Sequence, residues 1–142
     1  MPVLERVLEK NPDSVKLVFK HFPLRNHKFA MPASIAALAA ERQGKFWEFH
    51  DLLFKDYNRL NSQKVREIAQ KLNLDMGKFD KDQKDPVIRN IINRDLTEGN
   101  RVGVRGTPTV FINGRLLRNR SQSGFQTMIE KTLKKGRARQ SQ

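Results

Sequence analysis

The sequence predicts an α/β fold. Three observations carry that expectation: apolar residues recur at helical spacing in several separate segments, two short runs are rich in β-branched and aromatic residues, and Asn113-Gly114 follows the second run. Apolar positions at i, i+3 and i+4 mark one face of a helix, whereas period-two alternation marks a half-buried strand. An Asn-Gly pair after an apolar run is the strongest short-range hairpin signal, because both positions of a type I′ turn need a positive φ.

Taken in order, Val3, Leu4, Val7 and Leu8 form an apolar stripe on a short first helix, which Asn11-Pro12-Asp13 stops. Residues 15–22 read as a strand, with Val15, Leu17 and Phe19 on one face and Lys16, Val18 and Lys20 on the other. Lysines on one face suit a place near a sheet edge, where charge deters unwanted pairing, and Pro23 ends the run. Met31-Pro32 opens the next helix, since proline is tolerated in a first turn. Residues 33–42 are alanine-rich, the best intrinsic helix composition, and Gly44 is a natural C-cap. Phe46, Phe49, Leu52 and Leu53 mark a second helix of this block. Trp47 is expected to plug a gap between the helices and His50 to pack among aromatic residues.

Asn61 or Ser62 caps a helix carrying Val65, Ile68, Ala69 and Leu72, and Asp75 caps a short turn bearing Met76 and Phe79. Asp85-Pro86 opens a longer helix with an apolar stripe of Ile88, Ile91, Ile92, Leu96 and Val102. That helix leads into a loop with Gly103, Gly106 and Pro108, a strand over Thr109–Ile112, the Asn113-Gly114 turn and a return from Arg115 to Leu117. Phe125, Met128, Ile129 and Leu133 are the face of a last helix, and residues 136–142 are expected to be a basic, flexible tail.

A length of 142 residues implies one domain. No apolar run approaches the ~20 residues of a membrane span, and Pro2 to Arg6 reads as amphipathic helix rather than as a signal peptide. The formal net charge of +13 suits anionic partners. The cations are spread through the chain, however, and concentrate only from Lys131 to Arg139, so a basic nucleic-acid-binding protein stands only as a secondary alternative. His21, His27 and His50 are too scattered for a metal site, and no phosphate-cradling glycine loop is present, so neither metal nor cofactor is expected. Asn119-Arg120-Ser121 matches the glycosylation acceptor, a short pattern that recurs by chance. The absence of cysteine excludes disulfides, thiolate metal sites and thiol catalysis by this chain alone.

The string Gly103-Val-Arg-Gly-Thr-Pro-Thr-Val-Phe-Ile-Asn-Gly114 resembles the cis-proline loop of the thioredoxin superfamily, and most of all its DsbA-like branch, the bacterial thiol–disulfide oxidoreductases. Residues 15–24 resemble that branch's second core strand and following turn. Ala30-Met31-Pro32-Ala33 through His50 resembles the start of its helical insertion. The likeness runs from about Val3 to about Lys134. It implies a thioredoxin-like domain over 1–135 with a helical insertion at about 30–100, and a cis bond between Thr107 and Pro108. It also implies that the first strand and the Cys-x-x-Cys motif are missing, Pro2 to Leu8 resembling the helix just past that motif. An export signal and an extracytoplasmic setting would then belong to the part ahead of it.

On the same resemblance, Arg105, Gly106, Thr107 and Pro108 form a peptide-facing edge for protein or peptide substrates. Without its first strand, the sheet would have a vacant lane between residues 15–22 and Thr109–Ile112. The two runs could pair directly, but the expected solution is a homodimer by strand exchange, which satisfies edge groups without displacing the helices. Sedimentation equilibrium at moderate salt checks this: a dimer is expected, and a compact monomer at high micromolar concentration would remove the idea.

Overall fold

The computed structural model describes residues 2–141. Its elements are helices α1 (Pro2–Lys10), α2 (Ala30–Glu41), α3 (Phe46–Lys55), α4 (Ser62–Lys71), α5 (Met76–Gln83) and α6 (Pro86–Arg101), strands β1 (Phe111–Ile112) and β2 (Arg115–Leu116), and helix α7 (Gln122–Gln140). The single domain expected from length divides into two compact units, Lys20–Arg105 and a second unit joining the residues up to Phe19 with those from Gly106 onward.

The helical unit is organised on α2, which packs against α3, α4, α5 and α6. Ala36, Ala39 and Ala40 are completely buried, and side chains this small let several backbones approach one helix. Phe49, Phe79, Ile88 and Ile92 supply the bulk around it and are also fully buried. Caps set the helix boundaries. Asn61 accepts the Lys64 N–H at 2.7 Å, Asp75 the Lys78 N–H at 3.0 Å, and Asp85 the Val87 N–H at 2.9 Å ahead of Pro86. Arg42, just past α2, reaches Asp82 at 3.0 Å and Asp85 at 2.8 Å, which ties the end of α2 to α5 and to the start of α6.

The second unit holds a smaller core of Val7, Leu117, Phe125 and Ile129, with Val3, Val15, Val110 and Ile112 packed against it. Strands β1 and β2 are antiparallel, Phe111 opposite Leu116 and Ile112 opposite Arg115. Asn113 and Gly114 both adopt positive φ, 46° and 79°, as a type I′ turn demands. Asn11 is buried, and its side-chain amide donates to the Val7 carbonyl at 2.8 Å and to Gln126 at 3.1 Å, linking α1 to α7.

Four expectations need correction. Residues 15–22 alternate in burial, Val15, Leu17 and Phe19 half-buried and Lys16 and Val18 exposed, but they form no paired strand. Lys16, Leu17 and Val18 make no backbone hydrogen bond among the described residues, and a strand is defined by its ladder. Helix α7 runs to Gln140, so residues 136–140 are helical rather than a flexible tail. Lysine, arginine, alanine and glutamine favour helix there, and Gly136 costs only about 1 kcal/mol against that composition. Trp47 is 41% exposed and lies edge-on to Phe46 and His50 instead of plugging a gap. Val102 falls past the end of α6 and is exposed, because Gly103, at φ 86°, closes the helix immediately after it.

His50 packs with Phe46, Trp47 and Phe54, and His21 lies edge-on to Phe46. Both histidines are buried, and burial holds both below the ordinary pKa of 6.5. Asp95 opposes that shift at His21, and a hydrogen bond to Asp51 opposes it at His50. The unfolded chain therefore binds protons first as pH falls, and this contribution to stability is complete above about pH 6.5 and declines below it. Urea midpoints should fall between about pH 7 and about pH 5.5. His50→Phe, which keeps the ring packing, should flatten that decline; an unchanged slope would show that His50 does not contribute.

Candidate functional site

The loop that follows α6 is built from local constraints. Gly103 ends the helix, and the Val104 N–H returns to the Gly99 carbonyl at 2.9 Å. Arg105 is exposed and Gly106 half-buried, while Thr107 and Pro108 are exposed. The Thr107–Pro108 peptide bond is cis. Two side chains hold the turn. The Thr109 hydroxyl donates to the Gly106 carbonyl oxygen at 2.6 Å, and an Arg120 guanidinium N–H donates to the Pro108 carbonyl oxygen. Neither Thr107 nor Arg105 engages a partner among the described residues. The four residues singled out from sequence thus form one continuous segment, exposed except at Gly106.

Strand β1 carries this segment into an open edge. The Leu117 N–H donates to the Val110 carbonyl at 2.9 Å, and Ile112 faces Arg115, so the backbone groups of Val110 and Ile112 point toward β2. Those of Thr109 and Phe111 point the opposite way and meet no strand among the described residues. A row of unpaired donors and acceptors of this kind is a template for an added strand.

Arg120 is the residue that sequence reasoning passed over, since it appeared only as the middle of a glycosylation pattern. In the structure that tripeptide is a helix-entry turn: Asn119 accepts the Ser121 N–H at 3.1 Å, and Ser121 caps α7 by accepting the Gly124 N–H at 3.1 Å. The available signal was an absence, because no Asp or Glu occurs between Glu98 and Glu130, while Arg101, Arg105, Arg115, Arg118 and Arg120 all do. The field of this stretch reaches α7, where Lys135 is lowered below its usual lysine value chiefly by Arg115, with Lys131 and Arg139 adding to it. Among the described residues no group of His, Asp and Glu is placed to hold a metal ion.

Comparison with known proteins assigns the class. The family model described as thioredoxin matches residues 2–131, and the chain belongs to that family. A thioredoxin-like oxidoreductase from Silicibacter pomeroyi has the same fold, with a TM-score of 0.82 at 26% identity over 94% of this chain and 77% of that one. The thioredoxin-like fold expected from the resemblance is therefore present, mostly helical with a small two-stranded sheet. Among curated relatives, Na(+)/H(+) antiporter NhaA 3 of Salinispora tropica is 39% identical over 103 residues, 72% of this chain but 16% of that protein. The “Probable disulfide bond formation protein D” of Bacillus anthracis is 27% identical over 94% of this chain and 65% of its own length. The chain thus spans about a sixth of the antiporter and less than two-thirds of the disulfide protein.

Gly124 sets the seat of Arg120. A Cβ there would lie 2.1 Å from the Asn119 carbonyl oxygen, a backbone atom that cannot turn aside. Gly124→Ala is expected to push the 119–121 turn outward, at a cost of about 1–3 kcal/mol as in other overpacked sites. Thermal unfolding measures it, and an unchanged midpoint would show that the turn yields freely.

Proposed function

We propose that this chain is the substrate-facing part of a DsbA-like thiol–disulfide oxidoreductase, a fragment that holds protein or peptide segments at Arg105, Gly106, Thr107 and Pro108. The observation that carries the reading is the loop itself, with Arg105, Thr107 and Pro108 exposed, the Thr107–Pro108 bond cis, and neither Arg105 nor Thr107 engaging a partner among the described residues. Exposed main-chain groups of such a loop can hydrogen-bond to the backbone of an extended peptide. The kinship with a thioredoxin-like oxidoreductase and with a disulfide bond formation protein supports the choice of class. Disulfide exchange proceeds by attack of a thiolate, and the chain has no cysteine to provide one. On this reading it binds but does not exchange, and a Cys-x-x-Cys pair would come from outside these 142 residues.

A second reading is a cysteine-free peptide-binding or chaperone-like module. The antiporter relatives favour it, because there the matched stretch is a small part of a protein named for ion exchange. Insulin reduction separates the two. The chain alone should stay at the no-protein background. A strand and Cys-x-x-Cys helix start joined ahead of Pro2 should raise the rate above that background. Activity in the chain alone would overturn both readings, and a folded but inert fusion that still binds peptide would favour the second.

A further inference from the structure

Helix α7 carries a row of cations along one side. Lys131, Lys135 and Arg139 are spaced four residues apart, so they follow one another turn by turn on a single face. The row spans roughly 12 Å of helix axis. A strand adds a fourth cation. Arg115 lies opposite Ile112 in the β1–β2 ladder, and directly paired residues project from the same face of a sheet. Ile112 and Leu133 both pack on the core that holds Ile129, so the face bearing Arg115 is the one turned toward α7. Lys135 registers the crowding: it is held below the usual lysine value first by Arg115, then by desolvation, Lys131 and Arg139.

All four side chains are exposed, and residues 131–142 include no Asp or Glu. Folding does not call for this grouping. Like charges four residues apart weaken a helix. The helix dipole favours cations only near the last turn, which accounts for Arg139 but not for Lys131 or Lys135, and Arg115 stands on a strand. The grouping is also independent of the unpaired edge of β1. Strand β2 pairs on the side toward which the Val110 and Ile112 backbone groups point, away from those of Thr109 and Phe111.

The surroundings of the row narrow its partner. Ile129 and Leu133 hold the back of α7 against the core where the row begins, so the cations are met from the side and the helix is not free to enter a nucleic-acid groove there. No aromatic residue lies on α7 beyond Phe125 to stack on a base. Side-on attraction to a dense array of negative charge is what this face offers, and an anionic bilayer presents such an array in every direction of its plane. Clusters of Lys and Arg on an amphipathic helix attract acidic lipids in this way. We propose that this face is an electrostatic docking surface for an anionic lipid bilayer, with Lys131, Lys135, Arg139 and Arg115 meeting its headgroups. It goes beyond the peptide-binding reading of the loop and stands without it. The apolar face of α7 is already committed to the core, so nothing inserts, and attachment is reversible and weakened by salt.

Co-sedimentation of the full chain with vesicles tests the idea, using phosphatidylserine and phosphatidylcholine in equal parts against phosphatidylcholine alone. A short labelled DNA duplex at the same salt serves as the rival polyanion. The chain should bind the mixed vesicles, leave the neutral ones, and be released as salt is raised. Lys131→Gln together with Lys135→Gln should weaken vesicle binding about twentyfold, roughly fivefold for each cation lost near an anionic surface. Both positions are exposed, and glutamine is as good a helix former as lysine. Arg115→Gln, on a separate element, should weaken it about fivefold by the same reasoning. Arg89→Gln together with Arg94→Gln removes as much charge from exposed positions on α6 and should change it little. Equal binding to neutral and mixed vesicles, or to neither, would overturn the proposal. Equal weakening by the α6 and α7 pairs would show attraction by net charge and overturn the surface. Duplex binding as tight as vesicle binding, lost with Lys131 and Lys135, would reassign the surface to nucleic acid and overturn the choice of lipid.

Discussion

Extended backbone needs a hydrogen-bonding neighbour, and that requirement decides what becomes of the strand-like parts of this chain. A buried donor or acceptor without a partner costs about as much as a lost hydrogen bond. The Asn113-Gly114 turn brings Arg115 and Leu116 back beside Phe111 and Ile112, so one edge of β1 is satisfied over a short ladder. Residues 16–18 receive no such neighbour and form no ladder among the described residues. Their burial still alternates, because side-chain hydrophobicity acts whether or not the backbone is paired. Val15 packs on the core of its unit while its backbone finds a carbonyl only at Asn11.

The helical unit escapes this constraint, since a helix satisfies its backbone from within its own segment. What it needs instead is close packing, and α2 provides it through small side chains rather than large ones. The large residues sit on the surrounding helices, where Phe49 and Phe79 meet at a ring separation of 5.9 Å. Charge is used in the same economical way: Asp85 caps α6, receives Arg42, and is held below the usual carboxylate range by the Val87 N–H first and by Arg42 second. A cap that also carries an ion pair fixes two helix ends relative to each other, which a solvated surface pair does not.

Legibility in the sequence followed the range of the interaction. Signals confined to a few neighbouring residues were readable: Asp85-Pro86 at the start of α6, a cap at Asn61 or Ser62, Asn113-Gly114 as a turn, the alanines of α2 as a packing face. Outcomes that depend on a distant partner were not. The run 15–22 has the composition of a strand, but no composition states whether a neighbouring strand will be there. Trp47 has the bulk to fill a gap, yet its exposure is set by where Phe46 and His50 lie. The loop was found as a string, and its brace was not, because Arg120 acts across an interval that local reading does not span.

That brace also bears on how binding and exchange chemistry relate in this fold. The turn at Gly106 is held by the Thr109 hydroxyl, Pro108 by Arg120, and Arg120 by a capped turn whose tightness comes from Gly124. Every one of these contacts lies between Gly106 and Gly124, and none uses a thiol. The shape of the loop is therefore independent of any cysteine, and so is the open edge that continues from it. A thiolate placed beside such a loop would find its surface already formed, and the same surface without one keeps its hydrogen-bonding groups and its positive charge. Recognition of a peptide and chemistry on it are separable here for a physical reason: the first is built from local contacts within one short segment, and the second requires an atom that this segment does not need in order to fold.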